Sequence, residues 1–144
     1  MKVRVTGILQ NDTQILVLDQ DVDNNRSWSL PGGTLEDRET LEVALIREMR
    51  EETGLDVRVK ELLYICDFIQ DETHVVHITF RVEQTGGTIG DTIKGLDTNE
   101  IRGVSFVSVD DLTQYGFSEK FQQIVIDGFP DKGSYMGPKS NIGL

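Results

Sequence analysis

The chain is poor in cysteine, histidine, proline and basic side chains. Cys66 is its only cysteine, so no intrachain disulfide and no thiolate metal cluster can form. It sits in Leu62-Leu63-Tyr64-Ile65-Cys66, where a small buried hydrophobe is expected rather than a nucleophile. The two histidines, His74 and His77, are too few and too close together for a zinc site. Fourteen Lys and Arg stand against twenty-five Asp and Glu, a net charge of −11. A surface of that sign repels a nucleic-acid polymer, and no basic stripe interrupts it. No run approaches the roughly 18 apolar residues that a membrane span requires. Met1-Lys2-Val3-Arg4-Val5 alternates like a strand and lacks the apolar block of a signal peptide. A cytoplasmic protein without a membrane partner is the expectation.

What is present fits one domain over residues 1–144, with 38% hydrophobic and 27% charged residues. Residues 3–9 and 14–19 read as strands joined by turn chemistry at Asn11-Asp12. A short strand over 27–30 is ended by Pro31-Gly32-Gly33. Thr40 caps a helix over 41–53, which Gly54 stops in a left-handed conformation. Residues 55–68 read as one long or two short strands. Residues 75–82 alternate, with Val76, Ile78, Phe80 and Val82 on one face. His77, Thr79 and Arg81 share the other, which is expected to lie away from the core. Residues 84–99 read as a long surface loop and 104–109 as a strand. Asp110 is placed as the cap of a short helix, and Ser118 as the cap of a last helix over 119–127. The tail from Phe129 is left without regular structure. The class is α+β, or mixed α/β: a sheet flanked by helices.

The helix 41–53 carries the chemistry. At about 100° per residue, Glu52 lies near +40° and Glu51 near −60° of Glu48. Leu41, Ala44 and Leu45 fall within about 60° of the same direction, so the apolar stripe runs into three carboxylates. A solvated acidic face would lie opposite that stripe. Three anions so close repel one another, and clustered hard oxygens suit Mg²⁺ or Mn²⁺. A charged helix face laced with local ion pairs would show the same spacing.

The wider pattern is more specific. Gly33, five residues, Glu39, seven residues, Arg47-Glu48-Met49, one residue, Glu51-Glu52, one residue, Gly54-Leu55 resembles the complete Nudix box of the MutT-like Nudix hydrolase superfamily. Trp28-Ser29-Leu30-Pro31-Gly32 before it and Glu36 inside the first gap resemble the family's usual surroundings. The resemblance implies an α/β/α sandwich with a mixed sheet flanked by helices. It also implies a loop–helix–loop whose Glu48, Glu51 and Glu52 hold Mg²⁺ (or Mn²⁺), with the Gly32 carbonyl as a further ligand. Arg47 and Glu39 would form an ion pair that holds the loop on the helix. Glu100, with Asp91 and Asp97 as rivals, would be the distant acid. Glu48, Glu52, Glu100 and Arg47 are thus the implied catalytic set, with the general base left open among the three glutamates.

The implied activity is Mg²⁺-dependent hydrolysis of a pyrophosphate bond by water attack on phosphorus. Its substrate would be a nucleoside triphosphate or a related nucleotide. The alternatives are a nucleoside diphosphate linked to another group, such as ADP-ribose, a nucleotide sugar or a dinucleoside polyphosphate, and a nucleotide sensor without turnover. Trp28, by stacking, and Arg102 and His77, by polar contact, are the candidate substrate-binding residues. Lys94, Lys120, Arg81, Tyr135 and Lys139 are further ones. Relatives often dimerise, so a homodimer is an open expectation.

Overall fold

The computed structural model describes residues 1–20, 28–90 and 101–144, without the side chains of Gln20, Ile101 and Arg102. Its elements are β1 (Lys2–Ile8), β2 (Gln10–Asn11), β3 (Gln14–Gln20), β4 (Trp28–Ser29), β5 (Gly32–Thr34), α1 (Leu41–Thr53), β6 (Leu55–Gln70), β7 (Thr73–Gly87), β8 (Ile101–Ser108), α2 (Glu119–Ile126) and β9 (Ser134–Pro138). One sheet runs β5-β1-β7-β6-β9 and is mixed: β1 is parallel to β7 and β9 to β6, while the other pairs are antiparallel. A second sheet is built on β3, which pairs with β2, β4 and β8.

α1 forms where its caps demand. The Thr40 hydroxyl accepts from the Val43 N–H at 3.1 Å, and Gly54 closes the helix at φ 82°. The Thr53 hydroxyl then accepts from the Leu55 N–H at 3.0 Å, turning the chain directly into β6. Ala44, Leu45 and Met49 pack with Val5, Leu55, Val57 and Val82 in one core. Gly7 permits this approach: a Cβ there would stand 3.0 Å from the Met49 sulfur and 3.3 Å from Leu45. A second core joins Ile8, Tyr64, Cys66, Phe121, Phe129 and Ile142. β3 feeds both, Leu16 into the first and Ile15 and Val17 into the second. Burial pushes the Cys66 thiol up, as befits a small core residue.

Several expectations are corrected. The tail is not irregular: β9 adds a parallel strand to β6, and a 3₁₀ turn over Lys139–Ile142 buries Ile142. Pairing with a strand some seventy residues earlier overrides the local Gly and Pro signal. The segment after β8 is a 3₁₀ helix, Val109–Tyr115, capped by the Ser108 hydroxyl rather than by Asp110. Residues 84–87 belong to β7, and 91–100 lie outside the described residues. The face with His77 and Thr79 is not solvent-facing, since both side chains are buried. Alternation separates two faces without saying that only one is covered.

Candidate active site

β5 and α1 are brought together by packing, and the box residues meet at their contact. Glu48 and Glu52 are 4% and 3% exposed, which is unusual for carboxylates. The Gly32 N–H donates to Glu52 Oε1 at 2.7 Å. Gly33 faces Glu48 so closely that a Cβ would lie 2.3 Å from the carboxylate carbon. At Gly32, with φ 154°, a Cβ would lie 2.0 Å from the Val5 carbonyl oxygen, so a side chain there strikes backbone, whereas one at Gly33 strikes the Glu48 carboxylate.

Arg47 is the hub. It grips Glu39 through two hydrogen bonds, Nε to Oε2 at 2.7 Å and Nη2 to Oε1 at 2.8 Å. Its Nη1 reaches Glu48 at 2.9 Å and Glu51 at 3.3 Å, with Glu36 at 3.6 Å. Nη2 also donates to the Thr34 carbonyl at 3.3 Å, which ties α1 to β5. The guanidinium holds the Glu39 carboxyl below its usual range, and the Glu39 and Glu48 carboxylates raise Arg47 in turn. Four carboxylates therefore share one cation.

The structure thus unites Gly32, Gly33, Glu39, Arg47, Glu48, Glu51 and Glu52. Arg47 holds Glu48 and Glu51 while Gly32 holds Glu52. Among the described residues no three His, Cys, Asp or Glu side chains converge at metal-binding separation. Gly32 meets the site through its N–H, where its carbonyl was the expected contact. Glu100 lies outside the described residues, as do Asp91, Asp97 and Lys94, and so does the Arg102 side chain. Trp28 packs edge-to-face on Tyr115 with centroids 5.0 Å apart, against the second core. His77 is buried on β7, two strands from β5. Arg81 pairs with Glu61 and covers the Phe129 ring, and the exposed Tyr135 donates to Asp67. Thr34 went unnoticed in the sequence because its link to Arg47 depends on backbone geometry and not on residue type.

The model of the NUDIX domain matches residues 1–127. The chain belongs to the NUDIX family. It is 36% identical over 112 residues to the ADP-ribose pyrophosphatase of Methanocaldococcus jannaschii, covering 72% of this chain and 66% of that protein. It is 31% identical to a MutT-like protein of Streptomyces ambofaciens, over 78% of this chain and 67% of that one. These matches span about two thirds of each relative's length. A Nudix hydrolase of Nitrosomonas europaea shares the fold at TM-score 0.74 and 22% identity, with 91% of this chain and 90% of that one covered. Members of this family act on pyrophosphate bonds of small nucleotides, a class of reaction that generally needs a divalent metal.

Proposed function

We propose that this Nudix hydrolase splits a pyrophosphate bond in a nucleoside triphosphate or a related nucleotide, using Mg²⁺ (or Mn²⁺) held by Glu48, Glu51 and Glu52. The observation that carries it is the crowding of Glu36, Glu39, Glu48 and Glu51 onto the one guanidinium of Arg47, with Glu52 a helical turn from Glu48. Such a surplus of hard oxygen donors fits a hard divalent cation, and Gly33 keeps the space beside Glu48 that a Cβ would fill. The carboxylates would exchange their bonds to Arg47 and Gly32 for that cation.

A bound Mg²⁺ would offset the phosphate charge that repels a nucleophile. The chain's own residues do the rest. Arg47, anchored on Glu39 and Thr34, fixes where α1 presents its carboxylates. Glu52, oriented by Gly32, is placed to take the proton of the attacking water, with Glu48 and Glu100 as the other candidate bases. Water oxygen bonds to phosphorus as the bridging P–O bond breaks, and the phosphate ester leaves. General-base assistance of this kind contributes about 10²- to 10⁴-fold. A second reading, cleavage of a linked diphosphate, is favoured by the name of the Methanocaldococcus jannaschii relative. A cytoplasmic location and a homodimer also belong to the proposal; fractionation and light scattering test them.

The test is phosphate release from a nucleotide panel, with and without Mg²⁺, coupled to pyrophosphatase or phosphatase. Metal-dependent turnover of one class, lost in Glu52→Gln, supports the reading and chooses the substrate class. Nucleotide binding without turnover of any panel member would replace the enzyme by a sensor.

A further inference from the structure

β1 and β7 run side by side only as far as the pair Ile8 and Arg81. β1 then leads into β2 of the second sheet, where Gln10 pairs with Ile15, while β7 continues to Gly87 against β6. The two sheets fork there. On the side that β1 has left, no strand among the described residues pairs with β7 beyond Arg81. Successive strand residues turn their N–H and C=O to opposite sides, so every second residue of that edge offers a donor and an acceptor to the fork.

A cavity of about 400 Å³ fills the fork, within the range of roughly 300–1,000 Å³ that small-molecule sites occupy. Its floor is apolar: the buried Leu9 and Val82 belong to the core that also holds Leu45 and Met49 of α1. Its walls carry amides and a hydroxyl, from Gln10, Asn11, Gln84 and Thr85. Two of the carboxamides are weakly held. Gln10 Nε2 reaches the Asp12 carbonyl only at 3.4 Å, and Gln84 Nε2 the Gly86 carbonyl only at 3.5 Å. Among the described residues no Lys or Arg lines the cavity, and its one carboxylate, Glu83, already pairs with Arg58 at 2.8 Å and Lys60 at 3.4 Å. A phosphate finds no cation in this lining, and a cation finds only that paired carboxylate. The lining matches an uncharged planar ring with an apolar face and an edge of N–H and C=O groups. Carboxamides and backbone amides bond such an edge in pairs, as they do the edges of nucleobases.

We propose that the fork is a second ligand site, apart from the carboxylates of α1, and that it takes an uncharged nucleobase or nucleoside. Glu52 meets Gly32, whose strand partner Thr6 precedes Leu9 by about 10 Å of strand. Between them Leu45 and Met49 pack over Gly7, so no single ligand runs through that face from one site to the other. The same packing links the two sites. Val82 of the cavity floor and the Met49 sulfur both border Gly7, and Met49 follows Glu48 on the helix.

The test is a set of amide and methyl NMR titrations of the full chain, without divalent metal, with adenosine, inosine, cytidine and uridine in turn. None of the four carries a phosphate for a metal on α1 to hold. At least one should bind saturably at millimolar concentration. It should shift the backbone amides of Glu83–Gly86, the side-chain amides of Gln10 and Gln84, and the Met49 methyl. Gln84→Ala and Gln10→Ala, both outside the two cores, should each weaken that binding about tenfold, and Glu52→Gln should leave it unchanged. No saturable shift with any of the four, or binding equally tight in both alanine variants, overturns the site. Shifts gathered at Gly32 and Glu48, or lost in Glu52→Gln, overturn it too, since they place the nucleoside at the carboxylates. Turnover enters none of these readouts, so the hydrolase reading and the second site stand or fall separately.

Discussion

The Gly32 N–H donates to Glu52 Oε1 across twenty residues of chain, at 2.7 Å and out of contact with water. Glu52→Gln retains an oxygen acceptor for that N–H, so urea unfolding should place it within about 1 kcal/mol of the wild type. Glu52→Ala leaves a buried donor unsatisfied and should lose about 1–3 kcal/mol. Turnover should fall at least ~10²-fold in both, because both remove the carboxylate proposed to hold the metal and to take the proton of the attacking water. Equal activity in Glu52→Gln and wild type would remove Glu52 from the chemistry.

Adjacent glycines should fail differently. In Gly33→Ala the new Cβ strikes a side chain, the Glu48 carboxylate, which can swing away. The protein should stay folded by circular dichroism, with turnover and Mg²⁺ response reduced. In Gly32→Ala the Cβ strikes the Val5 backbone carbonyl, which the β1 ladder holds in place. There the melting temperature itself should collapse. Similar melting temperatures for the two variants would contradict this account.

Arg47→Lys preserves the charge but not the fork that grips Glu39. A loss of about 1–3 kcal/mol in urea unfolding is expected. The pH dependence should change too. Glu39 sits below its ordinary carboxyl pKa in the folded chain, so its stabilisation is present above the unfolded value and lost as pH falls through the folded one. Unfolding curves between pH 5 and 3 should therefore slope less in Arg47→Lys than in wild type.

His77 acts with the opposite ionisation. Its folded pKa, about 4, lies below the ordinary 6.5, so the unfolded chain binds the proton first. Wild type should lose stability as pH falls from 6.5 toward 4, by on the order of 1–3 kcal/mol. His77→Gln should be flat over that window apart from the carboxylates. Parallel curves for the two proteins, from melts at pH 7.5, 6 and 5, would show that the ring titrates normally.

How much was legible differs between neighbouring elements. α1 was readable to the residue, since Thr40, Gly54 and the stripe through Leu41, Ala44 and Leu45 are local signals. β9 was not, because Ser134–Pro138 becomes a strand only by borrowing the edge of β6. The Nudix box announced which carboxylates matter, but not that Arg47 would hold four of them at once. Nor did anything in residues 1–10 hint that Arg4 would stand beside His77.

By itself the sequence determined the family, the helix that carries Glu48, Glu51 and Glu52, and the turn that carries Gly32 and Gly33. Those features depend on caps, spacing and backbone freedom within a few residues of each other, which a linear string contains in full. The tertiary structure decided which strand faces are covered, that Glu52 rests on Gly32, and that Arg4 pairs across the sheet with a buried His77. Those relations depend on strand register and on which surfaces lose their water, and both follow from pairings between residues thirty to seventy positions apart.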